Sequence, residues 1–139
     1  MIIECLDVSP ERLTEIESLG THVRNHATKD GINALLREIS RTPVDILWIA
    51  WEALESEGST GIDAVRRFRV SRAETRILIE IPDDLSPPQP LLGQCVSLGI
   101  VDFVSASLPF QDALSRHPTY ADVARWQGGA VGWEEDCYG

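Results

Sequence analysis

Short apolar runs alternating with stretches of helical spacing set the strongest limit on what this chain can fold into. Ile2 to Asp7, Val44 to Trp51, Arg76 to Ile81 and Ile100 to Ser105 are runs of strand length. Thr21 to Ala27 is a more polar run, suited to a sheet edge, where one side of the ladder meets water. Between them lie helical patterns. Ser9 can cap, and Pro10 fits the first turn of, a helix carrying Leu13, Ile16 and Leu19, which Gly20 ends. Asp30 caps a second helix with Ile32, Leu35, Leu36 and Ile39. Ser59 or Thr60 opens a third through Ile62, Val65 and Phe68, and Leu91 to Leu98 forms a fourth that stops at Gly99. The acidic segment Glu52 to Ser59 and the segment Pro82 to Pro90, with four prolines, read as loops.

Strands separated by helices need crossover connections, and right-handed crossovers put helices on both faces of a parallel sheet. The predicted fold is therefore three-layer α/β, flavodoxin-like, with five parallel strands in the order 2-1-3-4-5. Residues 1–127 read as one domain, with a helix beginning near Phe110 or Thr119 and running to Trp126. Residues 128–139, with Gly128, Gly129 and Gly132, read as a tail.

Twelve basic against 22 acidic residues give a net charge of −10, which repels nucleic acid and anionic lipid. Arg66, Arg67, Arg69 and Arg72 form the one basic patch, read as a solvated helix face. No apolar stretch approaches the ~18 residues of a membrane span, and the N-terminus lacks a leader pattern, so a cytoplasmic protein is predicted. Cys5, Cys95 and Cys137 are an odd set without metal spacing; free thiols, no metal and no cofactor are the expectation.

Several segments resemble the receiver domain of response regulators. Asp7-Val8-Ser9-Pro10 is similar to the acidic turn after the first strand, and Pro43-Val44-Asp45-Ile46-Leu47 to the entry of the phosphorylation-site strand. Gly61-Ile62-Asp63-Ala64-Val65-Arg66-Arg67 resembles the third helix, and Leu98 to Val104 the approach to the fifth strand. The resemblance covers Ile2 to about Ser107 and implies a CheY-like fold. It also puts Ala50 at the phosphoacceptor aspartate, Val8 at one magnesium-binding acid, Ile81 at the switch serine or threonine and Ala106 at the lysine. Only Asp7 matches. Transfer of a phosphoryl group to a carboxylate needs the nucleophile and oxygen ligands for Mg²⁺, so the resemblance narrows to pseudo-receivers, such as the N-terminal domains of TadZ- and CpaE-type ATPases. It implies a non-phosphorylatable module that acts through a protein partner or self-association.

Other residues fit that reading less well. Glu4 and Glu80 lie in apolar strands, where a charge costs several kcal/mol unless paired. Aligning strands by the resemblance puts Glu4, Leu6, Leu47, Ile49, Trp51, Leu78 and Glu80 on one face, and Cys5, Asp7, Trp48 and Ala50 on the other. Glu80 near the C-terminal edge, walled by Trp51, would make a small-molecule pocket, with Trp48 and Asp7 as further ligand contacts. Cys5 with His26 is a second constellation, a hydrolytic dyad if they share a face. The alternative function is thus an enzyme on a rebuilt receiver-like scaffold. Glu80, with Glu4 as a lesser candidate, would be a general base in proton abstraction, or Cys5 and His26 would hydrolyse an ester.

Overall fold

The computed structural model describes residues 1–28, 31–86, 89–100 and 102–116. The elements run β1 (Ile2–Leu6), α1 (Pro10–Glu17), β2 (His22–His26), α2 (Ile32–Ile39), β3 (Ile46–Ala50) and α3 (Trp51–Glu57). They continue α4 (Ser59–Ser71), β4 (Arg76–Ile81), α5 (Pro90–Ser97), β5 (Phe103–Ser105) and α6 (Phe110–Ser115). The strands form one parallel sheet in the order β2-β1-β3-β4-β5, the predicted flavodoxin-like arrangement.

Both faces are covered, so the central strand is apolar without alternation: all five residues of β3 are buried. On one face Leu6, Leu47, Ile49, Ile77, Ile79 and Phe103 pack with residues of α2, α3, α4 and α5. On the other, Ile3, Cys5, Ile46, Trp48, Leu78 and Val104 pack with Ile16 of α1 and with Phe110 and Ala113 of α6. The polar strand β2 takes the edge, as its composition requires. Ser9 caps α1 as expected, its side-chain oxygen accepting from the Arg12 amide at 3.3 Å.

Three expectations are corrected. The segment after β3 is the helix α3, because Trp51, Ala53 and Leu54 can all be buried from one short turn of chain. Gly58, at φ 61°, then lets α4 start at once. Trp51 is consequently the first residue of a helix, where strand alternation no longer places it. Finally, β3 and β4 pair with Trp48 beside Leu78 and Ala50 beside Glu80, one residue away from the predicted register. That step moves Leu78 and Glu80 to the face of Trp48. The expected cap Asp30, the helix segment from Thr119 to Trp126 and the tail lie outside the described residues. No helix among the described residues is long and apolar enough to cross a membrane.

Candidate functional site

Ligands of open parallel sheets bind beyond the carboxyl ends of the strands, so the site is sought there. After β1 the backbone turns at Asp7, whose φ of 53° is in the left-handed region, tolerated by aspartate better than by most residues. The Asp7 amide donates to the His26 carbonyl at 2.8 Å. Its carboxylate accepts from the Thr28 amide at 3.1 Å and from the Thr28 hydroxyl. Asn25 closes the same turn, accepting from the Val8 amide at 3.1 Å and donating to the Val8 carbonyl at 3.0 Å. Asp7 is therefore bound to the chain that follows β2.

Beside it, β3 ends in Ala50, which is buried and leads directly into α3. The carboxylate nearest in register is Glu80. It accepts from Arg12 Nε at 2.7 Å and from the Trp48 indole N–H at 3.0 Å, both on Oε1. The Arg12 guanidinium lies over the Trp48 ring, 5.1 Å from its centroid, and Phe110 packs against that ring at 5.2 Å. The remaining Arg12 donors reach the carbonyls of Leu108 at 2.7 Å, Ala106 at 2.9 Å and Ser105 at 3.3 Å, and Glu15 at 3.4 Å. With the Arg12 side chain 3% and Glu80 14% exposed, this is a largely buried pair whose remaining donors are used, the condition under which such a pair is tolerated. One side chain thus binds α1, β4 and the loop from β5 to α6.

Comparison with known proteins finds no family model that matches this chain, and no curated protein or solved structure matches it significantly. Its chemistry is read from its own geometry.

That geometry changes the predicted constellations. Glu80 meets Trp48 and Arg12, and the expected pair of Glu80 with Trp51 does not form, because of the register step and the start of α3. Trp51 instead donates from its indole to Glu55 at 2.9 Å, one helical turn on. Trp48 is 0% exposed and its one donor is taken, so it is core rather than a ligand contact. Glu4 is 2% exposed and held from the edge strand: Arg24 Nε donates to it at 2.8 Å, Arg24 Nη2 also pairs with it, and His26 Nε2 lies 2.9 Å away. Cys5 pairs in register with Asn25 and faces α1 and α6, whereas His26 turns to Glu4 on the opposite face. The Cys5–His26 dyad is not assembled. Burial, with the fields of Glu4, Glu80 and Glu17, also pushes the Cys5 thiol up to about 12, away from the nucleophilic thiolate.

Arg12 escaped the sequence reading, although it precedes Ile16 by one helical turn and so shares its buried face. A second missed group joins the loop after β4 to β5: Ser105 donates to Asp83 at 2.6 Å and Ser107 at 3.2 Å, and the two hydroxyls are 2.9 Å apart. The hydrogen bond from Ser105 holds the Asp83 carboxyl below its usual range. Among the described residues no group of three or more His, Cys, Asp or Glu is arranged to hold a metal. The described cavities lie elsewhere, between α2 and α4, between α4 and α5, and at the amino end of β4.

Proposed function

We propose that this chain is a receiver-like domain that does not accept a phosphoryl group and works through protein contacts, self-association first among them. The observation that carries the reading is the combination at the carboxyl end of the sheet. Strand order is that of a flavodoxin-like domain, yet β3 ends in a buried alanine, and the neighbouring acids are committed. Asp7 is bound by Thr28 and Glu80 by Arg12 and Trp48. A phosphoryl acceptor needs a free carboxylate and oxygen ligands for a hard cation, and these residues do not offer that set. The same sheet end is tied through Arg12 to α1 and to the loop from β5 to α6, which suits a scaffold that presents a fixed surface.

Light scattering across a wide concentration range tests the interaction half of the proposal. The expected result is a mass rising from 15.4 kDa toward twice that value. A mass that stays at 15.4 kDa at every concentration argues against self-association and sends the search to a different protein partner.

A further inference from the structure

One arginine of the basic patch on α4, Arg67, borders a groove between α2 and α4. Five described arginines, Arg12, Arg24, Arg66, Arg67 and Arg76, hold carboxylates. Arg37, Arg41, Arg69 and Arg72 form no ion pair among the described residues. All four lie in or just after the last turns of α2 and α4, and Arg72 Nε donating to the Ser40 carbonyl at 2.8 Å brings those two helix ends together. Arg69 also donates to the Thr75 carbonyl at 3.2 Å, and of the four only Arg37 lines the groove between the two helices.

Between these helices runs a groove of about 210 Å³. Its floor is apolar, with Leu36, Ala64 and Phe68 each 2% exposed. Its rim is Asn33, Arg37, Ser40, Arg67 and Ser71. Arg67 is already oriented, by Asp63 at 2.8 Å and by the Asn33 side chain at 3.2 Å, while the Arg37 guanidinium makes no hydrogen bond among the described residues. Two guanidinium groups from different helices bordering one groove match a compact tetrahedral anion, since arginine offers paired donors to phosphate oxygens. The volume is below the ~300–1,000 Å³ of pockets that enclose drug-sized ligands, and the net charge of −10 repels polyanions. We infer that the α2–α4 groove binds a small phosphate-bearing anion, inorganic phosphate or a compact phosphate monoester.

The test is a titration of the full chain with inorganic phosphate and, separately, glycerol phosphate, at constant ionic strength balanced with chloride, following the arginine side-chain N–H signals by NMR. Saturable shifts of the Arg37 and Arg67 signals are expected, with binding weakened roughly tenfold or more in Arg37→Gln and in Arg67→Gln. Arg66→Gln, whose side chain lies outside the groove, is expected to bind like the parent. Tighter binding of glycerol phosphate assigns a monoester, and equal binding assigns free phosphate. Shifts that do not saturate, that chloride alone reproduces, or that survive both groove substitutions overturn the inference, and the parent titration decides it even where a variant folds poorly.

Discussion

Removing the Arg12 guanidinium strands a largely buried carboxylate and takes a side-chain donor from the carbonyls of Ala106 and Leu108, while the Ser105 carbonyl keeps the Leu108 amide at 3.1 Å. Breaking a buried ion pair from one side costs about 3–5 kcal/mol, so Arg12→Met is expected to lose about that much stability in denaturant unfolding. Combining it with Glu80→Gln is expected to cost less than the sum of the two single losses, because the second change removes the stranded charge. An Arg12→Met loss under about 1 kcal/mol would show that the pair does not tie the sheet end. The cysteines give a pH signature. Burial pushes the Cys5 and Cys95 thiols from 9.0 up to about 12, so between those values the unfolded chain loses protons that the folded chain keeps. Stability should therefore be complete below about pH 9 and fall as pH rises toward 12, by up to about 1.4 kcal/mol per pH unit for each thiol. The Cys5→Ala/Cys95→Ala protein should have a flatter profile over that window; an unchanged slope would refute the assignment. In the native protein neither thiol should be labelled by a thiol reagent at neutral pH, as peptide mapping can check.

At the scale of elements, the latch between the β1 turn and β2 carries a testable asymmetry. Asp7 combines a left-handed backbone with two hydrogen bonds from Thr28. Asp7→Ala loses the bonds and keeps the backbone cost, about 2–4 kcal/mol together, whereas Asp7→Asn tolerates the backbone and keeps one acceptor, with a loss under about 2 kcal/mol. Equal losses in the two variants would mean that the carboxylate is not what holds the turn. The same element shows where sequence reading succeeds. Ser9 and Pro10 mark the start of α1 because capping is chemistry local to a few residues. Helix α3 was hidden because seven residues give too short a window for periodicity, and its glutamates resemble a loop. Two of those glutamates have partners: Glu55 accepts from Trp51 one turn earlier, and Glu57 accepts from the Ile32 amide at 3.3 Å, at the distant start of α2.

For the whole molecule, strand order could be read from alternation because crossover handedness leaves few topologies, and the observed order agrees. Which residues share a face could not. Strand side chains repeat every two residues, so a single step between β3 and β4 exchanged Trp51 for Trp48 as the partner of Glu80 and turned an imagined pocket into a core ion pair. The Cys5–His26 pairing failed on the same parity, with Asn25 rather than His26 beside Cys5. The reading proposed for the carboxyl end of this sheet, with Ala50 closing β3 and Asp7 and Glu80 tied to Thr28 and Arg12, is that it does not accept a phosphoryl group. It is tested most directly by incubating the full chain with Mg²⁺ and acetyl phosphate and measuring its intact mass. The account predicts an unchanged mass at every time point. A single phosphoryl adduct that depends on Mg²⁺ and disappears in Asp7→Asn would contradict it.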